Sequence, residues 1–317
     1  MGKKLDDTLA VLNGLVGDYL ARTDNSLATS MSLYRNDRPV GLSRQGLARA
    51  YPKASARVAV LAHGVACTES IWRFPDGSDY GSRLEHELGF TPIYLRYNSG
   101  LAIADNGRAL AELLKQLVEL YPQPIEELLP IGYSMGGLVV RSACHFATGQ
   151  GQSWLEHVRR AIYVGTPHAG APAERLGRVV TRVLGAIPDP YTRLIADVAN
   201  LRSAGVKDLG DADLRDEDRA GQGKRLSLRD ASHPVPLLPS IRHHLIAGSL
   251  STDPHLAALF GDMLVPVTSA TAVKMRREGN AEVAEPDVRV LPGLGHVDIA
   301  HDHDVYEQIK TWCEEQE

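Results

Sequence analysis

The chain has 317 residues, 44% of them hydrophobic and 23% charged, with a formal net charge of -5. That balance belongs to an ordinary soluble globular protein and excludes a disordered chain, a collagen-like fibre and a coiled coil. Slight acidity and 6% aromatic content supply neither the basic footprint nor the stacking surface that nucleic-acid binding needs, so no nucleic-acid partner is expected. The cysteines Cys67, Cys144 and Cys313 are odd in number and match no CxxC or zinc-ribbon spacing. A disulfide framework is therefore not expected, and a reducing compartment fits.

The N-terminus reads MGKKLDDTLAVLNGLVGDYL. Its Lys pair imitates a signal peptide, but Asp6 and Asp7 follow at once and Asn13 and Asp18 interrupt the apolar run. No stretch approaches the ~20 apolar residues of a membrane span. The expectation is a cytoplasmic protein with no transmembrane segment. Leu5, Leu9, Leu12, Val16, Tyr19 and Leu20 form a helical stripe. Residues 1–56 read as a helical or irregular N-terminal extension. Its second half is basic through Arg35, Arg38, Arg44, Arg49 and Lys53, a solvated face covering the main domain.

From residue 57 to 317 the pattern is strand–helix alternation. RVAVLAHG (57–64), TPIYLRYN (91–98), ELLPIGYS (127–134), VRRAIYVGTP (158–167), HHLIAGSL (243–250) and PDVRVLPG (286–293) read as strands. NGRALAELLKQLVELYP (106–122) reads as a helix, with Leu110, Leu113, Leu114, Leu117 and Leu120 on one face and Pro122 as its stop. MGGLVVRSACHFA reads as another helix, and the last runs over roughly 303–314. Strands separated by helices predict an α/β fold, with a mostly parallel sheet covered on both faces. Residues 168–240 break the alternation. Leu176, Val179, Val180, Val183, Leu184 and Ile187 form one apolar stripe, flanked by Arg175, Arg178 and Arg182. Leu194, Ile195, Val198 and Leu201 form a second, followed by the charged stretch KDLGDADLRDEDRAGQGKR and the return HPVPLLPS. This reads as a helical cap inserted between two core strands. Its stripes either pack on the core or form a mobile lid whose inner face binds an acyl chain and touches a lipid interface transiently.

Gly132-Tyr133-Ser134-Met135-Gly136 is a G-x-S-x-G pentapeptide. The bare pattern is weak, but an apolar strand precedes it and a helix follows, the setting the motif requires. A serine hydroxyl is a poor nucleophile at neutral pH and needs a general base from the same sheet edge. His296, in the Gly-rich LPGLGHVDI after the last strand, is the best placed; His301 and His303 are the fallbacks. The base needs an orienting carboxylate, for which Asp262 and Asp253 compete in the loop after the fifth core strand. Oxyanion donors are expected from the backbone N–H of Met135 and, after the first core strand, of Val65. His63 beside it suits a loop-structuring role.

Together AHGVACTESIW, GYSMGGLVVR, GTPHAGAP, GDMLVPVTSA and GLGHVDI, in that order, resemble the α/β-hydrolase superfamily, and within it the bacterial lipase and PGAP1-like esterase group. The resemblance covers roughly residues 57–315. It implies a serine hydrolase of carboxylic esters with Ser134, Asp262 and His296 in the family's chain order, Asp262 being preferred to Asp253 on this ground. It implies an acyl-enzyme and no cofactor or metal, and a small-molecule or lipid ester as substrate. An acyltransferase or thioesterase on the same fold is the alternative, and a non-catalytic scaffold a remoter one. His168, in GTPHAG, reads as structural. Residues 1–56 have no counterpart in that pattern, and the substrate is not carried over, because the 168–240 insertion is where such enzymes vary. In His301-Asp302-His303-Asp304 the i and i+2 side chains of a helix point apart, so helix-start carboxylates explain the run better than a metal site. His243 and His244 alternate faces of a strand for the same conclusion.

Overall fold

The computed structural model describes residues 3–171, 203–211, 214–215, 235–250, 262, 265–272 and 285–315. Its elements in chain order are α1 (Lys3–Arg22), β1 (Ser32–Arg35), β2 (Arg38–Val40), α2 (Arg44–Ala50), β3 (Arg57–Ala62), α3 (Tyr80–Leu88), β4 (Thr91–Arg96) and α4 (Ile103–Leu120). They continue with β5 (Glu127–Tyr133), α5 (Met135–Gln150), β6 (Arg160–Val164), α6 (Ala204–Asp211), β7 (Arg242–Ser249), a short α7 (Val267–Ala270), β8 (Asp287–Pro292) and α8 (His303–Glu314). The eight strands form one sheet in the order β2-β1-β4-β3-β5-β6-β7-β8. From β4 to β8 every neighbour is parallel, and β1 joins β4 and β2 antiparallel.

The core strands are apolar because both of their faces are covered. Along β3, Val58 and Val60 enter the cluster that includes α4 and α5, whereas Ala59 and Leu61 enter the cluster that includes α3 and α8. Leu110, Leu113, Leu114 and Leu117 of α4 are buried as their spacing predicts. Each contributes about 2 kcal/mol by leaving water. Helix starts carry their own stops and caps. Asp79 and Ser82 form a reciprocal capping box at α3. The Asp302 carboxylate accepts the Asp304 N–H at the head of α8, which gives two members of the 301–304 run their helix-start role.

The N-terminal segment holds a helix over the expected stripe, but also a second helix and a strand pair that sequence reading does not contain. β1 and β2 extend the sheet beyond β4, and Leu33, Leu47 and Tyr51 are buried in the main core. The helix α1 spans the expected stripe and kinks at Val16. Within the inserted segment, Ala204–Asp211 is helical although it opens the charged, Gly-containing stretch. Val206 and Leu209 bury, and Asp208, buried too, accepts the Ile103 N–H at 3.0 Å. The stripes at 176–187 and 194–201, the three Arg beside the first, and Asp253 lie outside the described residues.

Candidate active site

β5 and α5 meet at Ser134, and the connection contains a single residue. Ser134 has φ 52° and ψ -122°, a conformation costly to any side chain. The turn closes only because neighbours lack Cβ atoms. One on Gly132 would strike the Gly137 backbone, and one on Gly136 would strike the Ala62 and His63 carbonyls. The Ser134 N–H donates to the Val164 carbonyl at 2.8 Å, which ties the turn to β6. The G-x-S-x-G spacing is thus a packing requirement of this junction as well as a display device for Ser134.

The loops after β7 and β8 bring Asp262 and His296 to that point. His296 Nε2 lies 2.9 Å from Ser134 Oγ, and its Nδ1 lies 2.7 Å from Asp262 Oδ2. A carboxylate only accepts, so Nδ1–H donates to Asp262. Nε2 is then the acceptor for the Ser134 hydroxyl. Asp262 is 1% exposed and is held independently of the histidine: its other oxygen accepts the Val265 N–H at 2.7 Å. Its carbonyl accepts the His296 N–H at 3.0 Å. The Tyr133 hydroxyl donates to the His296 carbonyl at 2.8 Å, so the residue beside the serine also fixes the loop of the base.

The expected donors flank the serine. Met135 is the first residue of α5, so its N–H has no intrahelical acceptor, and the positive end of the helix dipole lies there. Gly64 packs so closely that a Cβ on it would sit 3.2 Å from Ser134 Cβ, which brings Val65 alongside. Among the described residues, neither the Val65 nor the Met135 N–H has a hydrogen-bond acceptor.

Five of the other described histidines have partners of their own. His63 is fully buried and stacked on Tyr97, with ring centroids 4.3 Å apart. Its Nδ1 donates to the Gly64 carbonyl at 2.8 Å and its Nε2 accepts the Tyr97 N–H at 3.3 Å. Burial pushes its pKa down to about 4, so it is a neutral brace of the 63–65 loop. His168 accepts from Arg141 at 3.2 Å, and burial holds it well below the usual imidazole range. His303 stacks on Phe74 and lies 3.3 Å from Arg83. His243 bonds Tyr163 and the Leu238 carbonyl, whereas His244 packs on Trp312.

Gly165, the first residue of GTPHAG, is a positioning element that sequence reading did not single out. It has φ 58°, and a Cβ there would sit 3.4 Å from His296 Cε1. Its N–H donates to the Ile246 carbonyl at 2.8 Å. Gly165 lets the chain pass behind the imidazole ring. A second is Ser99, whose hydroxyl accepts the Ala66 N–H at 2.9 Å. The Asn-Ser-Gly sequence around it is a turn signal, but nothing local says which loop it supports.

No family model matches the sequence, and no curated protein matches it. Solved structures do resemble the fold. The mature form of the Bacillus licheniformis lipase BlEst2 is 17% identical, with a TM-score of 0.51, over 81% of this chain and 91% of the lipase. Its propeptide form is 16% identical with a TM-score of 0.50, over 83% of this chain and 51% of that longer one. An esterase from Pyrococcus furiosus is 16% identical with a TM-score of 0.44, over 82% of this chain and 79% of the esterase. The strand order, the helices on both faces of the sheet and the likeness to the Bacillus structure identify the fold as that of the α/β-hydrolases.

Proposed function

We propose that the protein is a serine hydrolase of carboxylic esters that works through an acyl-enzyme on Ser134. The observation that carries the reading is the unbroken hydrogen-bonded chain from Ser134 Oγ through His296 to Asp262, at 2.9 and 2.7 Å. His296 Nε2 takes the hydroxyl proton as Oγ attacks the ester carbonyl. The carbonyl oxygen becomes an alkoxide held by the Val65 and Met135 N–H groups. The imidazolium, stabilised by Asp262, returns its proton to the leaving alcohol as the C–O bond breaks. Water then attacks the acyl-enzyme, with the same histidine as base, and releases the acid and the free serine. In this reading each step is complete with side chains and backbone donors of the chain.

Residues 57–317 would form the catalytic domain, with the 168–240 segment as its substrate-facing cap and a small-molecule or lipid ester as substrate. Among the described residues no helix is long and apolar enough to cross a membrane. Cys67, Cys144 and Cys313 are unpaired, as suits a reducing compartment. The test is hydrolysis of a chromogenic ester series from acetyl to palmitoyl, with Ser134→Ala alongside. Hydrolysis that falls by about 10⁴-fold or more in the variant is expected. A preference for short chains assigns a small pocket, and a preference for long chains makes the cap an acyl-binding lid. Absence of cleavage at every length, or a variant as active as the parent, overturns the reading. An acyltransferase would instead reveal itself by transfer to an added alcohol or thiol acceptor in place of hydrolysis.

A further inference from the structure

Ala66 follows the proposed oxyanion donor Val65 and has φ 57°, a left-handed conformation in a residue that is not glycine. Such a conformation is strained and persists only where its surroundings over-determine it. Its surroundings here come from the turn after β4 and from the N-terminal helix. Its N–H donates to Ser99 Oγ at 2.9 Å. Gly14 of α1 packs against its other side, so closely that a Cβ on Gly14 would sit 2.8 Å from Ala66 Cβ and 3.0 Å from Ala66 N.

Ser99 is in turn fixed by the same helix. Asn98 Nδ2 donates to the Gly17 carbonyl at 2.9 Å, and Asn98 Oδ1 accepts the Gly100 N–H at 3.0 Å. Helix α6 locks the assembly from above. Ser203 Oγ donates to the Gly14 carbonyl at 2.7 Å, the Ala204 N–H to Asp18 at 3.1 Å and the Gly205 N–H to the Gly100 carbonyl at 3.0 Å. Asn13, Asn98, Ser99 and Ser203 are each about 1% exposed. The Asn98 and Ser203 bonds are therefore made away from water, where an unmatched group costs the full desolvation penalty.

We propose that α1 and the Asn98-Ser99-Gly100 turn form a clamp that holds Gly64-Val65-Ala66 in its working conformation, with Ser99 and Gly14 as positioning residues for the Val65 N–H. The proposal rests on the reading of Val65 as an oxyanion donor. It gives the N-terminal helix a catalytic consequence that a solvated cover would not have. Removing the Ser99 hydroxyl frees the strained residue. Adding a methyl to Gly14 displaces it. The two opposite perturbations share one consequence, a donor out of place, which weakens binding of the tetrahedral oxyanion more than binding of the planar ester.

The test uses the full chain with Ser99→Ala, Gly14→Ala and the double variant Gly14→Ala/Ala66→Gly, which removes the Cβ that the new methyl meets. The readouts are kcat, KM, the inhibition constant of an aryl trifluoromethyl ketone, whose hemiketal with a serine carries the same oxyanion, and the thermal midpoint. Both single variants are expected to lose about 10–100-fold in kcat, less than the loss of a donor outright, with KM within about twofold. The ketone should weaken in proportion to kcat/KM. The double variant should regain part of the loss of Gly14→Ala. Variants that lose thermal stability but keep kcat and ketone affinity within twofold of the parent overturn the clamp, as does a double variant no faster than Gly14→Ala. A parent that hydrolyses esters and binds the ketone while both single variants match it loses only this proposal. A parent that does neither overturns the ester-hydrolase reading, and the clamp falls with it.

Discussion

Ser134 and Ala66 are two non-glycine residues with positive φ, 52° and 57°, on either side of one reaction centre, and they are held in different ways. Ser134 is trapped between its own strand and its own helix. Gly132, Gly136 and the bond to Val164 come from the pentapeptide and the neighbouring strand, elements that no parallel sheet of this kind can lose. Ala66 has no such scaffold. It follows β3 in a loop, and its partners are Ser99, 33 residues on in the turn after β4, and Gly14 in the N-terminal helix α1. The proposed nucleophile is therefore built into the core of the fold, whereas the proposed oxyanion loop depends on accessories. Exchanging the functional group of Ser134 or Asp262 should alter chemistry and leave the fold intact. Changes around Ala66 should couple catalysis to the packing of α1.

The largest effect that sharpens this contrast is Asp262→Asn. Asp262 Oδ1 accepts the Val265 N–H, so an asparagine keeps its carbonyl oxygen there and turns its amide towards His296 Nδ1. That nitrogen must then accept, the proton moves to Nε2, and Nε2 can no longer take the serine proton. A loss of roughly 10³–10⁴ in kcat follows, with KM little changed. The elbow does not depend on Asp262, so circular dichroism and the turn at Ser134 should match the parent. A variant that keeps a tenth of parental kcat would remove Asp262 from the mechanism.

The next largest effect is acid lability on the Ala66 side. His63 braces the 63–65 loop as a neutral ring with a pKa lowered to about 4 by burial, and His243 and His244 on β7, lowered to about 4 by burial as well, add a fall of the same sign away from that loop. A depressed histidine pKa means that the unfolded chain binds more protons than the folded one between the two values. The stabilisation is complete above pH ~6.5 and is lost as the pH falls towards ~4, by up to roughly 3 kcal/mol for a fully buried ring. Urea midpoints measured across that window should fall steeply. His63→Gln, which does not titrate, should give a shallower fall. An equal slope in the variant would assign the acid lability elsewhere.

Much of this was legible in the sequence, and the reasons differ by element. The six core strands lie within about two residues of their expected limits at most ends; β3, β5 and β6 are buried on both faces and so must be continuous apolar runs, whereas β8 is largely half-buried or exposed. Ser134 and His296 were legible because the motif and its strand–helix context are local. Asp262 was separated from Asp253 partly by resemblance, since both lie in the same stretch after β7. β1 and β2 were not legible: SLYR and RPV are short and half-polar, and only pairing with β4 makes them strands. Helix α6 was hidden in a charged stretch because its buried Asp208 answers to a backbone N–H at the head of α4, a long-range partner. Ser99 and Gly14 were invisible for the same reason, as their meaning depends on Ala66.

The smallest effect is the one that separates the two strained residues most directly. Replacing each by glycine removes the side-chain penalty of its backbone conformation, and the added freedom of the unfolded chain costs about 0.4–1 kcal/mol in return. Ser134, with ψ -122°, lies where L residues are strained by roughly 1–3 kcal/mol, so Ser134→Gly should stabilise the fold by about 1 kcal/mol while abolishing hydrolysis. Ala66 is in the left-handed region at a smaller penalty, and its Cβ packs against Gly14, so Ala66→Gly should leave stability within about 0.5 kcal/mol of the parent. Denaturant titration of the two variants against the parent measures the difference. If Ala66→Gly stabilises as much as Ser134→Gly, the loop carries as much strain as the elbow, and α1 and Ser99 do less to offset it than their contacts imply.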